Sequence, residues 1–260
     1  MRQVYLAEIL ADKGANVTVC DLCAACRHPG VSQAFSMKEA LETADVVAAP
    51  VPLSKGEEIL RLLKPGSHFF AGKISQEFEA RAKEKHIKCF DYLKDETVAM
   101  KNTVATAEGM IAEAICQSPR NLFRSSCLVL GYGRCGSTLV SCLKNFSCRV
   151  AVYERKPETA ARASLVVDSL VALAELPRVI QEAAFIFNTV PALVLPRAML
   201  GYVGKDALIL DLASAPGGVD YEAAKEMGIS ARLLPGLPGR YAPASSAEIL
   251  AEKILKEEMK

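Results

Sequence analysis

Residues 126–156 read as strand, glycine turn, helix and strand, and no other stretch restricts the fold as much. Cys127, Leu128, Val129 and Leu130 form a short apolar run, as a strand buried on both faces of a parallel sheet requires. Gly131, Gly133 and Gly136 follow at once, spaced G-x-G-x-x-G. The first glycine permits a tight turn, the second lets a pyrophosphate approach the backbone, and the third lets the next helix pack closely. That helix aims backbone N–H groups and the positive end of its dipole at the phosphates. Residues 149–153 form the next strand. Glu154 closes it roughly 20 residues past the turn, where an acidic side chain meets the adenosine ribose. A glycine-rich turn without a ligand is the alternative, but strand, helix and acid at these spacings favour dinucleotide binding. Gly131, Tyr132, Gly133, Arg134, Cys135 and Gly136 then surround the phosphates.

A chain of 260 residues, half of them apolar, has room for two domains with their own cores. A net charge of +1 argues against nucleic acid or an anionic membrane as partner. No apolar run approaches the ~18 residues of a membrane span, and no signal peptide opens the sequence, so a soluble, cytoplasmic protein is expected. Cys20, Cys23 and Cys26 with His28 resemble a fragment of a metal site, but no fourth ligand follows at cluster spacing. The other six of the nine cysteines lie scattered through apolar runs, as reduced thiols do, and neither a metal nor a disulfide framework is expected.

Helical patterns over residues 1–13, 37–43, 55–63 and 76–85 alternate with strand-like runs at 17–20, 45–49, 68–72 and 87–91. This alternation predicts a parallel sheet with helices on both faces. The domain opens on a helix, whereas a doubly wound domain normally opens on a central strand; a truncated start, a misassigned start or a sheet with one strand fewer would each account for this, and truncation is expected because loss of a central strand leaves unpaired edges. Residues 103–117 form a helix joining the domains, ended by Pro119, with Glu108 and Gly109 near its start. Residues 184–191 and 208–214 are further buried strands. Ligands of such sheets sit at the carboxyl ends of strands, which places Asn188, Thr189, Val190, Pro191, Leu212, Ala213 and Ser214 against the cofactor. Residues 216–218 and 235–239 read as rigid turns, and 245–258 as a last helix packing back on the first domain. The expected organisation is an N-terminal substrate domain over 1–102, an interdomain helix over 103–118, a nucleotide-binding domain over 119–240 and a returning C-terminal segment over 241–260.

The run from Leu210 to Asp220, the run from Pro235 to Pro243, and Thr106 to Gly109 together resemble the A-type subunit of dipicolinate synthase. The resemblance covers nearly the whole chain and is most specific in the second half. It implies two Rossmann-like, doubly wound α/β domains around a cleft, the first lacking its opening strand here. It further implies a nicotinamide cofactor and formation of dipicolinate (pyridine-2,6-dicarboxylate) from a dihydrodipicolinate-type precursor during sporulation, with a second, B-type subunit of dipicolinate synthase as partner. A homo-oligomer is also expected. Where the family often carries a basic residue after the Asp-Leu-Ala-Ser strand, this chain has Ala215, leaving Arg240 or Lys73 for a substrate carboxylate.

Aromatising a dihydropyridine needs hydride transfer to the nicotinamide and loss of a proton, so the protein must bind a dicarboxylate, orient it and remove that proton. Glu108, Asp211, Ser214, Asp220 and Arg240 are the catalytic candidates, each acid also fitting an ordinary cap, turn or ion pair. A 2-hydroxy acid dehydrogenase shares the architecture, but usually uses a histidine as acid and base; His28, His68 and His86 all precede the nucleotide-binding half. A non-catalytic nucleotide-binding regulatory subunit is the other alternative. Glu154 suits the ribose 2′-OH of NAD, whereas Arg155 and Lys156 suit the 2′-phosphate of NADP; the charge count favours NADP, with NAD the alternative.

Overall fold

The structure is a computed structural model and describes residues 1–22 and 24–258. The chain divides into two compact units. One comprises Met1–Asn102 and the chain from Ala242 on, the other Thr103–Tyr241.

The first unit opens with helix α1 (Arg2–Asp12), which buries Val4, Leu6 and Ala7. Gly14 follows it at φ +87°, a left-handed turn that glycine adopts at least cost. Strands β1 (Val17–Val19) and β2 (Val31–Gln33) pair in parallel. Strands β3 (Val46–Ala48), β4 (His68–Ala71) and β5 (Lys88–Asp91) form a second parallel group in that order. The single sheet expected from the alternation is thus two separately hydrogen-bonded groups, of two and three strands. Helices α2 (Met37–Glu42), α3 (Gly56–Leu62) and α4 (Gln76–Glu84) fill the connections. Ser36 and Ser75 cap α2 and α4, accepting from the N–H groups of Glu39 and Phe78. Helix α12 (Pro243–Glu258) belongs to this unit. Its Ala247, Leu250, Ala251 and Ile254 share a core with Leu6, Phe70 and Tyr92.

Helix α5 (Glu96–Gln117) begins seven residues earlier than the sequence pattern suggests, and the division between units falls within it. The Asp95 carboxylate accepts from the Val98 N–H near its start. Glu108 and Gly109 consequently lie in mid-helix, not near its beginning.

The second unit holds six parallel strands. In chain order they are β6 (Ser126–Leu130), β7 (Arg149–Tyr153), β8 (Ser169–Leu170), β9 (Phe185–Asn188), β10 (Leu208–Asp211) and β11 (Ser230–Leu233). Their order across the sheet is β11-β10-β9-β6-β7-β8. This is the doubly wound order, with its switch point between the first strand, β6, and the fourth, β9. Side chains alternate between two cores. Cys127, Val129, Phe185, Phe187, Leu208 and Leu210 pack on one face. Leu128, Leu130, Ile186 and Ile209 pack on the other. Burial on both faces explains why these strands read as unbroken apolar runs. Helices α6 (Arg134–Asn145), α7 (Pro157–Ser164), α8 (Leu176–Glu182), α9 (Arg197–Leu200) and α10 (Tyr221–Glu226) connect them. Residues 237–241, which overlap an expected rigid turn, form instead the short helix α11 (Leu237–Tyr241), because Pro238 sits in its first turn, where a missing N–H costs nothing.

Candidate nucleotide site

The glycine turn connects β6 to α6 at the switch point. Gly131 stands at φ +92°, and a Cβ there would lie 2.6 Å from Thr189 Oγ1 and 2.8 Å from Val190 Cγ2. Both the conformation and the space therefore demand glycine. Its N–H donates to the Tyr153 carbonyl at 2.8 Å, tying the turn to β7. Thr189, just beyond β9, donates from its backbone N–H and from Oγ1 to the Leu130 carbonyl, each at 2.9 Å. The turn is thus fixed from both neighbouring strands. Gly136 faces the carbonyl of Gly131, so a side chain at 136 would push α6 off the turn itself.

Gly133 caps α6, and no side chain caps that end. A Cβ built on Gly133 meets nothing within 4 Å, so the space beside the first turn of a 12-residue helix is open. Backbone N–H groups, a helix dipole and an open glycine form an anion cradle of the kind a pyrophosphate needs. Arg134 is exposed beside it and Cys135 half-buried, while Tyr132 is buried.

Glu154 lies at the carboxyl end of β7. Its carboxylate accepts from the backbone N–H of Tyr132 and of Lys156, both at 2.9 Å. Partial burial works against its charge. The N–H groups of Lys156, Tyr132 and Arg155, with the Lys156 charge, outweigh that and hold the carboxyl below its usual range. The acid expected at the ribose therefore also braces the glycine turn. Arg155 and Lys156 are both exposed next to it.

Asn188 and Asp211, expected near the cofactor and the reacting centre, are instead completely buried. Asp211 Oδ1 accepts from Asn188 Nδ2 and the Ala213 N–H, both at 2.8 Å. Oδ2 accepts from the Gly218 N–H at 2.6 Å and the Tyr221 hydroxyl at 2.8 Å. Asn188 also bonds the carbonyl and N–H of Val190. With four donors on one carboxylate, Asp211 organises the 212–218 loop and has no position left for substrate. Burial, then the hydrogen bond and charge of Asp211, raise the Tyr221 hydroxyl far above its normal range. No sequence spacing signals the Tyr221 contact, because the two residues meet only once the loop has folded.

Among the other candidates, Asp220 caps α10 by accepting from the Ala223 N–H. Arg240 pairs with buried Glu113 at 2.8 Å, so its charge is already opposed. The Tyr241 hydroxyl, at 2.5 Å, is the main group holding Glu113 in its charged form; Gln117 and Arg240 add to it against burial. This polar cluster on α5 and α11 has no visible sequence signal. Ser214 is exposed in the loop after β10, as are Glu108 on α5 and Pro191 beyond β9; Val190 and Leu212 are half-buried and Ala213 is buried. Lys73 is exposed in the first unit. His28 pairs with Asp12 and His68 with Glu258. Cys23, the middle of the spaced cysteines, lies outside the described residues. Among those described, no group of three or more His, Cys, Asp or Glu is placed to hold a metal, and no helix is long and apolar enough to cross a membrane.

Two family models match the sequence. Residues 1–93 match the N-terminal domain of the dipicolinate synthase A-type subunit. Residues 98–203 match the NAD binding domain of D-isomer specific 2-hydroxyacid dehydrogenases. The chain is 35% identical over 177 residues to the A-type subunit of dipicolinate synthase from Bacillus subtilis (strain 168), covering 68% of this chain and 59% of that protein. The chain thus spans less than two thirds of that relative's length. Among solved structures it is similar to the dipicolinate synthase A-type subunit from Bacillus halodurans, with a TM-score of 0.86 and 23% identity. It is likewise similar to the A chain of dipicolinate synthase from Bacillus subtilis, with a TM-score of 0.83 and 26% identity. Each alignment covers 98% of this chain and 93% of the other.

Proposed function

We propose that the chain, which is similar to the A-type subunit of dipicolinate synthase, is an NADP-dependent oxidoreductase subunit of that kind. It forms dipicolinate from a dihydrodipicolinate-type precursor during sporulation, in the cytoplasm and together with a B-type subunit. One observation carries the cofactor part of this reading. At the switch point, Gly131 is fixed between Tyr153 and Thr189 while Gly133 leaves the start of α6 open. That is the geometry a dinucleotide pyrophosphate requires. When bound, the nicotinamide supplies the hydride acceptor.

The protein's own share is binding, orientation and removal of a proton. Glu108 and Ser214 are the two catalytic candidates whose side chains remain exposed in the second unit and outside the buried networks. The preference for NADP rests on charge. Glu154 spends hydrogen-bonding capacity on two backbone N–H groups, while Arg155 and Lys156 stand exposed beside it. Replacing both by alanine should weaken NADP binding by roughly ten-fold or more and leave NAD nearly unchanged, since hydrogen bonds to charged groups contribute about 1.5–3 kcal/mol.

The family-model match over 98–203 favours a 2-hydroxy acid dehydrogenase as the second reading. Against it stands the absence of any histidine after His86. The test is turnover. The chain is given freshly formed dihydrodipicolinate with oxidised NADP, alone and with the B-type subunit, and the near-ultraviolet absorbance of reduced nicotinamide is followed. Reduction with either preparation supports the proposal. Reduction only with 2-hydroxy acids would replace it with the second reading. Nucleotide binding without turnover in any mixture would assign the protein a regulatory role instead.

A further inference from the structure

At the carboxyl ends of β3 and β5, the first unit holds a cation with no opposing charge among the described residues. Arg2, the first residue of α1, is partly buried and donates from Nη2 to the Val51 carbonyl at 3.0 Å. Beside it, Gln3 donates from Nε2 to the Ala48 carbonyl at 3.2 Å. These two bonds clamp the start of α1 to the chain leaving β3. Val51 itself is fixed. Gly72 packs on it so closely that a Cβ would stand 2.5 Å from Val51 Cγ1, and the Leu53 N–H donates to the Gly72 carbonyl at 2.7 Å. The guanidinium is therefore held by rigid backbone rather than by a carboxylate. Several other cations of this unit have acidic partners, such as Lys55 with Asp21, Lys64 with Asp45 and Lys94 with Glu79, while Lys85 donates to the Leu60 and Arg61 carbonyls.

A second observation concerns Tyr92, directly after β5. Its side chain is 1% exposed and its hydroxyl has no hydrogen-bond partner among the described residues. Gln3 Oε1 is likewise buried and without one. A buried polar atom left in this state costs about 1–3 kcal/mol, and orphan atoms of this kind are rare enough to need a reason. Val51, whose carbonyl takes the Arg2 bond, packs against the buried cluster that contains Tyr92, which brings the guanidinium and the Tyr92 side chain into one neighbourhood. Burial lowers the Arg2 pKa, with Tyr92 opposing, yet an arginine stays protonated. The neighbourhood thus offers several guanidinium N–H donors and one O–H donor, with the Gln3 carbonyl as acceptor. In open parallel α/β sheets ligands bind at this end of the strands.

We infer that Arg2 and Tyr92 form a carboxylate-binding subsite, with Arg2 taking the carboxylate through its remaining N–H groups. Gln3 Oε1 accepts from a neighbouring N–H or O–H of the same ligand. A planar carboxylate beside a hydrogen-bearing ring nitrogen or hydroxyl fits all three groups, and Arg is the side chain suited to bidentate recognition. The identity of the ligand rests on the proposed function, which would make it one carboxylate end of a cyclic dicarboxylate.

The test is calorimetric titration of the full chain and of Arg2→Ala, Arg2→Lys and Tyr92→Phe with three probes: dipicolinate, picolinate and glutarate. Nucleotide affinity and melting temperature are read on the same samples. The expected result is binding of at least one probe, weakened tenfold or more in Arg2→Ala, less in Arg2→Lys, and a few-fold in Tyr92→Phe, with nucleotide affinity unchanged. Tyr92→Phe removes only an unpartnered hydroxyl and keeps the fold, so its loss reports the site and not stability. Arg2-dependent binding of glutarate without dipicolinate would leave the subsite standing and overturn the dipicolinate reading. Equal affinity in all four chains, or no probe bound by the parent, would overturn the subsite.

Discussion

Gly131 does two things at once, and each forbids a side chain. It adopts φ +92°, and it lies against Thr189 and Val190. Gly131→Ala should therefore destabilise the second unit by about 1–3 kcal/mol, the usual cost of a strained backbone position. It should also abolish nucleotide binding, because relief of the clash moves the turn; a melting curve and a nucleotide titration on one sample check both. Glu154 is the second residue with a double role. Its folded-state pKa is depressed, so its contribution to stability is complete above the unfolded value near ~4.3 and disappears as pH falls through the folded value. Glu154→Gln should accordingly be less stable than the parent by a constant amount at neutral pH. The gap should close as the pH is lowered below about 4, as urea titrations at a series of pH values would show.

The elements differ in how far the sequence reveals them. Strands β6, β9 and β10 are legible because burial on both faces leaves a continuous apolar run. The helix after the glycine turn is legible from the glycine spacing itself. Strand β2 is not, since it is three residues long and carries Ser32 and Gln33. Edge strands β8 and β11 are hidden for a related reason: their residues are exposed or half-buried and show no apolar run. The early start of α5 is obscured because residues 96–102 carry Glu96, Lys101 and Asn102 among their apolar positions, which blurs the period. At the site, the turn and Glu154 can be read, since local spacing encodes them. The four-donor shell of Asp211 cannot, since it joins residues from two strands, a loop and a helix. Gly109 shows what a mid-helix glycine does here. A Cβ at that position would sit 3.0 Å from the Tyr241 ring and 3.1 Å from Leu237 Cβ. Gly109→Val should overpack the contact of α5 with α11 and cost about 1–3 kcal/mol, seen as a lower denaturant midpoint.

Taken whole, the chain forms two units with separate cores, the first completed by α12 returning from beyond the second. Leu250 is almost fully buried in the core α12 shares with α1. Leu250→Ala should lower the stability of the first unit by about 2–5 kcal/mol while leaving nucleotide affinity in the second unchanged, a split that scanning calorimetry with and without nucleotide resolves. The match to an NAD binding domain over residues 98–203 and the switch-point geometry together support the second unit as the seat of a nicotinamide cofactor. The most direct test of that account is isothermal titration of the purified protein with NADP and with NAD, each in the presence and absence of dipicolinate. Micromolar binding of NADP, weaker binding of NAD, and a tighter NADP complex in the presence of dipicolinate are the expected results. Binding of neither nucleotide would contradict that account.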